Sequence, residues 1–318
     1  MKVLITGGAG FIGSAIAKKL IDRGDKTVLV DNFNDYYDPK LKHDRIKKFL
    51  KGYEKGFKVY TGDIRDRAFL EKVFKKERPD KVIHLAAMAG VRYAILHPLL
   101  YVDVNVMGTT NMLDVAVKYK IKNFIYASSS SVYGNNKKQP FSESDPVDTP
   151  ISPYAASKKA TELLAHCFSH IHGIKTTGLR FFTVYGPWGR PDMALFKFVK
   201  NILAGKPIDV YNRGKMSRNF TYIDDIVSGT IKVLDADLPC GVMNIGGDKE
   251  EKLLRYIEVI EDCLGKKAKK NLLPMQPGDV PATVADIRKL RKLGWKPTTR
   301  IEVGIKNFIE WYKMYHKV

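Results

Sequence analysis

Tyr154 and Lys158 stand four residues apart, a spacing that on a helix sets a phenol and an ammonium one turn apart on the same face. A neighbouring positive charge lowers a phenol's pKa toward neutrality, so such a pair can serve as a proton-accepting base. The same Tyr-x-x-x-Lys spacing occurs at Tyr36/Lys40, Tyr133/Lys137 and Tyr211/Lys215. Pro39, the run Gly134-Asn135-Asn136 and Gly214 interrupt those three, whereas Tyr154 opens an unbroken helical stretch directly after Pro153. Upstream lies Ser128-Ser129-Ser130-Ser131-Val132-Tyr133-Gly134, which follows the apolar run Asn123–Ala127. If that run is a strand of an open parallel sheet, the serines leave its C-terminal end. Such sheets bind ligands there, and the hydroxyls become donors to a substrate oxygen.

A second cluster opens the chain. Val3-Leu4-Ile5-Thr6 reads as a strand, Gly7, Gly10 and Gly13 punctuate the turn, and Ser14–Arg23 has a helical pattern. Glycines so placed permit a tight turn, close approach of backbone to a pyrophosphate and close helix–strand packing, with the helix N-terminus facing the phosphates. Asp31, at the end of the second strand, can accept from the ribose hydroxyls of an adenosine and repels a 2′-phosphate, which favours NAD over NADP. Asp63, after the third strand, is placed to meet the adenine edge.

These side chains need elements to position them. Candidate strands are Val3–Thr6, Thr27–Val30, Phe57–Tyr60, Lys81–Leu85, Asn123–Ala127 and Thr176–Arg180, with helical stretches at Ser14–Arg23, Ala68–Glu77, Val104–Lys120 and Tyr154–His172. Strand–helix alternation with β-branched strands predicts an α/β fold, a doubly wound parallel Rossmann sheet with helices on both faces. Residues 1–181 are expected to form the dinucleotide-binding domain, with a returning segment at about 219–247. Residues 182–318, rich in Phe, Tyr, Gly and Pro at the start, are expected to form mainly a smaller C-terminal substrate-binding domain.

Composition sets outer limits. A chain of 318 residues suggests roughly two domains, and 44% hydrophobic residues with 11% aromatics exclude wholesale disorder. No run approaches the ~20 apolar residues of a membrane span. Met1 leads straight into Val3-Leu4-Ile5 with no basic segment before an apolar one, so cytoplasmic residence is expected. Cys167, Cys240 and Cys263 form no Cys-x-x-Cys pair, and His166, His170 and His172 lack carboxylate support, so no disulfide framework or metal site is expected. The net charge is +20, but the lysines are scattered and the densest cluster is only Lys266-Lys267-Ala268-Lys269-Lys270. An anionic small molecule suits this balance better than specific nucleic-acid binding.

Taken together, Thr6–Gly13, Asp31, Leu85-Ala86-Ala87, Ser128–Gly134 and Tyr154/Lys158 resemble the extended short-chain dehydrogenase/reductase superfamily. Arg180–Met193, Phe220-Thr221-Tyr222-Ile223-Asp224-Asp225 and Met275–Thr283 are similar to the nucleotide-sugar epimerases that act on UDP-glucuronate. The resemblance covers essentially the whole chain. It implies NAD bound by Gly7, Gly10, Phe11, Ile12, Gly13, Asp31, Asn32, Asp63, Ile64, Leu85, Ala86, Ala87, Tyr154 and Lys158. It also implies Tyr154 as base, Lys158 holding the nicotinamide ribose and Ser129 sharing the bond to the sugar O4. Substrate contacts would come from Ser129, Ser130, Ser131, Thr183 and Arg218 at the diphosphate, with Arg190 or Arg92 at the sugar carboxylate.

Relatives that eliminate or decarboxylate carry an acidic residue where this chain has Ser130-Ser131, which favours simple 4-epimerisation. A UDP-hexose or UDP-N-acetylglucosamine 4-epimerase, a UDP-glucuronate decarboxylase and a non-catalytic NAD- or RNA-binding member of the fold are the alternatives. Stripes on Val104–Lys120 and Ala155–His172 suit a four-helix homodimer interface, as in relatives.

Overall fold

The β-branched runs of the first 181 residues become β1 (Lys2–Thr6), β2 (Lys26–Asp31), β3 (Phe57–Thr61), β4 (Lys81–His84), β5 (Asn123–Ser129) and β6 (Lys175–Phe181). The computed structural model describes residues 1–318. In space the strands run β6-β5-β4-β1-β2-β3, and Gly241–Ile245 adds a seventh strand beside β6. All of the pairings are parallel. The order reverses between β1 and β4, which opens a crevice at the C-terminal ends of those strands.

Each strand feeds two cores. Val3, Ile5, Leu29, Ile83 and Ile125 face one buried cluster, while Leu4, Val28, Val30, Val82 and Phe124 face the other. This side-to-side alternation, with both sides apolar, is what a sheet covered by helices on both faces requires.

Several boundaries differ from the sequence expectation. The first helix, α1, spans Phe11–Asp22, because Gly10 is the N-cap and the turn ends three residues earlier than expected. The stretch expected as one helix from Val104 is instead a short helix Pro98–Tyr101, a π-helical turn Val102–Met107 and an α-helix Gly108–Lys118. Pro153–His172 is a single helix, entered through Ser152, whose hydroxyl accepts from the Ala155 N–H at 3.1 Å. Lys270–Leu272 forms a short strand that pairs with Ile208–Val210.

Beyond β6 the pairing is in small pieces. Phe220–Tyr222 lies parallel to Thr183–Tyr185, and Ser217–Arg218 lies between Glu251–Lys252 and Ala282–Thr283. The helix Ile223–Ala236 carries Asp224 and Asp225 in its first turn and packs against α1. Asp225 also accepts from the backbone N–H groups of Thr298 and Thr299, at 2.9 and 3.1 Å, tying the C-terminal segment to this helix. No helix is long and apolar enough to cross a membrane.

Candidate active site

The crevice at the sheet's reversal is a cavity of about 910 Å³. That is near the top of the roughly 300–1,000 Å³ range of small-molecule sites. Every residue named as a cofactor or substrate contact lines it, among them Gly7, Asp31, Tyr154, Arg92 and Arg218.

The turn after β1 needs its glycines. Gly7 has φ +66°, and a Cβ there would sit 2.9 Å from the Ala86 nitrogen; one at Gly13 would sit 2.2 Å from the Gly7 carbonyl oxygen. No side chain caps α1, so its first N–H groups face the cavity with the positive end of the helix dipole. Asp31 is nearly buried, with one oxygen accepting from the Ala9 N–H at 3.0 Å and the other from the Phe33 N–H at 2.9 Å. Asp63 is held down to about 2 by Arg65 and also accepts from Asn32 Nδ2 at 2.9 Å. A cradle kept open by glycines, a bare helix N-terminus and a strand-end carboxylate fit a dinucleotide.

Across the cavity, Tyr154 is half-buried at the start of its helix and Lys158 is buried one turn on. Lys158 Nζ donates to the Ala127 carbonyl at 2.9 Å. Burial pushes the Tyr154 phenol up, against the pull of the Ser129 hydroxyl and the Arg190 guanidinium. Arg190, remote in sequence, is thus one cation whose charge reaches the phenol. Ser129 ends β5, and its hydroxyl also accepts from the Ser131 N–H at 3.1 Å, which shapes the turn bearing Ser130 and Ser131.

Burial moves Lys158 the other way, down to about 8. In the cofactor-free protein the charge is therefore costly. Below pH 8 folded and unfolded chains are both protonated and the cost is complete. From about pH 8 to the unfolded value of 10.5 the folded chain releases its proton first and the cost disappears. Lys158→Met should make the cofactor-free protein more stable at pH 7 by on the order of 2 kcal/mol, after the lost hydrogen bond to Ala127. The gap should close as pH rises toward 10.5. Urea unfolding of both proteins from pH 7 to 10.5 checks it, and a gap that widens refutes it.

The three cavity arginines differ in what already neutralises them. Arg218 donates to the Ser217, Pro281 and Val280 carbonyls at 2.7–3.1 Å and meets no carboxylate. It forms no salt bridge, though the Asp279 charge acts on it, and burial lowers its pKa. Arg190 forms a two-pronged pair with Asp192, whose carboxylate also accepts from the Tyr36 hydroxyl at 3.2 Å. Arg92 is 47% exposed, pairs with Asp279 at 3.1 Å and stacks on the Tyr211 ring at 4.3 Å. It thus belongs to the cavity's outer rim, while Arg190 faces Tyr154.

Sequence reasoning missed the supports behind these groups. Glu162 lies one further turn along the Tyr154/Lys158 side of the helix, and that spacing could have flagged it. It binds Arg180 through two bonds of 2.8 Å and accepts from the Ser128 hydroxyl at 2.6 Å. Arg180 also donates to the Tyr133 hydroxyl, which donates to Asn244 Oδ1. Asn219 donates to the Lys249 carbonyl and accepts from the Ala285 N–H. Tyr36 and Tyr211 stood out only as Tyr-x-x-x-Lys spacings, and Asp192 and Asp279 only inside longer motifs; nothing local showed that they meet the two arginines.

A doubly wound sheet with a glycine turn at its reversal, facing a Ser/Tyr/Lys set across one cavity, defines the short-chain dehydrogenase/reductase class. The pattern of the NAD dependent epimerase/dehydratase family matches residues 3–246, and the chain belongs to that family. It is 49% identical over its whole length to Protein CapI of Staphylococcus aureus, also covered in full. It is 46% identical to UDP-glucuronate 4-epimerase 1 of Arabidopsis thaliana, over 99% of this chain and 77% of that protein. Among solved structures, the UDP-glucuronic acid 4-epimerase of Bacillus cereus in complex with UDP-glucuronic acid and NAD superposes with a TM-score of 0.92. The two share 35% identity, covering 99% of this chain and 100% of that one.

Proposed function

We propose that the protein catalyses NAD-dependent 4-epimerisation of UDP-glucuronate to UDP-galacturonate through a 4-keto sugar. The observation that carries the reading is one cavity lined by a dinucleotide cradle, by Tyr154 with Ser129 and Lys158, and by Arg218, an arginine that forms no salt bridge. When bound, NAD⁺ supplies the redox chemistry, accepting hydride from the sugar C4 and returning it to the opposite face.

Tyr154 Oη takes the O4 proton as the ketone forms and gives it back when the ketone is reduced. Ser129 Oγ holds O4 in line. Lys158 holds the nicotinamide ribose, and its charge beside the ribose favours the ionised phenol. Arg218 takes the diphosphate, for which a half-buried guanidinium with no salt-bridge partner is suited. Ser130, Ser131 and Thr183 line the sugar end with neutral donors, and Arg190 adds positive field for the carboxylate. The division into a cofactor part, residues 1–181 with 219–247, and a substrate part from 182 onward belongs to this proposal. So does cytoplasmic residence, which three unpaired cysteines suit.

Purified protein given UDP-glucuronate should form the C4 epimer with no added reductant, followed by NMR of the product. Release of carbon dioxide with UDP-xylose alone, or epimerisation only of neutral UDP-hexoses, overturns the assignment.

A homodimer completes the proposal. Leu99, Val102 and Met107 are 82%, 55% and 53% exposed, and Leu163, on the adjoining catalytic helix, is 54% exposed. Such an apolar strip along two packed helices suits a second copy of the chain. Sedimentation should give a dimer, and Leu99→Glu with Leu163→Glu should give monomers; a wild-type monomer at micromolar concentration refutes it.

A further inference from the structure

His84 ends β4 beneath the cavity floor and takes no part in the chemistry above, yet it is 3% exposed and bonded at both ring nitrogens. The donors around it leave one arrangement. Thr109 gives its only hydroxyl proton to the Asn105 carbonyl at 2.6 Å, so its oxygen must accept from His84 Nε2 at 3.1 Å. Nδ1 is then bare and accepts the Thr6 hydroxyl proton at 2.7 Å, while Thr6 Oγ1 accepts from the Ala86 N–H at 3.2 Å. The tautomer is dictated by the network, not by the ring.

The chain continues toward the reacting groups. Asn105, on the π-helical turn, grips Met88 by both backbone groups, accepting from its N–H at 2.7 Å and donating to its carbonyl at 3.0 Å. It also donates to Ser157 Oγ at 2.9 Å, and Ser157 donates to the Tyr154 carbonyl at 2.8 Å. Thr6, Asn105, Thr109 and Ser157 are all buried. One unbroken line of hydrogen bonds therefore joins the strand before the glycine turn to the first turn of the helix bearing Tyr154 and Lys158. Buried networks of this kind, when every member is satisfied, lock a single arrangement.

We propose that His84, held as the neutral Nε2–H tautomer, is a positioning residue that sets the Tyr154/Lys158 helix at a fixed distance from the dinucleotide cradle. The proposal rests on the epimerase reading for its kinetic consequence, but not for its tautomer. A protonated ring would make Thr6 Oγ1 accept from both Nδ1–H and the Ala86 N–H, and the Thr6 hydroxyl proton would lose the acceptor that bare Nδ1 gives it. Burial and the nearby Lys158 ammonium support the neutral ring, holding His84 down to about 3.

The test uses the full-length holoenzyme with ¹⁵N-labelled histidine. Wild type at pH 7 should show His84 with Nδ1 unprotonated and Nε2 protonated, and Thr109→Val should perturb that pair. A misplaced reacting group costs up to roughly 10²-fold, so Thr109→Val should lower kcat by about tenfold or more. KM for UDP-glucuronate should stay within about twofold, because the arginines that hold the substrate lie elsewhere. His84→Gln, which keeps a donor toward Thr109, should recover part of the kcat that His84→Leu loses. Protonated Nδ1 in wild type, or Thr109→Val with unchanged kcat, overturns the proposal, as does a loss in both variants that merely follows their melting temperatures. Absence of any epimerase activity in wild type would instead sink the epimerase reading, and the tautomer measurement would still judge His84.

Discussion

Tyr154→Phe should lower the turnover of UDP-glucuronate by about 10³-fold or more while leaving the fold and the binding of both ligands intact. The change removes one oxygen from a half-buried ring that packs edge-on against Tyr101 at 6.0 Å, so packing is preserved. What disappears is the atom that accepts and returns the O4 proton, and positioned acid–base groups typically contribute 10²–10⁴-fold. Arg190 and Ser129 keep their other partners, Asp192 and the Ser131 N–H, so the surrounding geometry has no reason to collapse. Product NMR gives kcat, and calorimetric titration with NAD⁺ and UDP-glucuronate gives binding. A variant that retains a tenth of the wild-type rate would show that another group moves the proton.

The second large effect concerns stability. Arg180→Met should destabilise the protein by roughly 3–5 kcal/mol, because it strands a carboxylate buried behind the site. Glu162 is 7% exposed, and its two oxygens meet Arg180 at 2.8 Å each. With the guanidinium gone, Glu162 keeps only the Ser128 hydroxyl, and the Tyr133 hydroxyl loses a donor. Replacing both partners together, Glu162→Leu with Arg180→Met, should recover a large part of the loss, since no buried charge then remains. Urea unfolding of the single and double variants checks this. A single variant within 1 kcal/mol of wild type would mean that water reaches Glu162, against its burial. Because Ser128 precedes Ser129, the single variant should also slow turnover.

The fold was legible to the degree that its signals are local. Alternating β-branched runs and helical patterns placed all six strands of residues 2–181 within a residue or two, since both faces of the sheet are apolar and the period is short. The helix expected from Val104 contains a π-helical turn instead, and on it Asn105 turns its side chain to Met88, a partner seventeen residues back that no periodicity reveals. The short pairings after β6 were unreadable for a related reason. Strands of two or three residues carry no pattern, and their register depends on what the larger sheet leaves free.

By itself, then, the amino-acid sequence determined the glycine turn, the strand-end Asp31 and the Ser129/Tyr154/Lys158 set, because each depends on spacing within one element or one turn. Tertiary structure alone decided the electrostatics around them. Tyr36 reaches Asp192 across 156 residues, and Asp192 pairs with Arg190, whose charge pulls against the burial of the Tyr154 phenol. It also left Arg218 without a salt bridge while giving one to Arg92 and to Arg190. A side chain's charge state follows from its burial and its nearest partners, and neither exists until distant segments have packed.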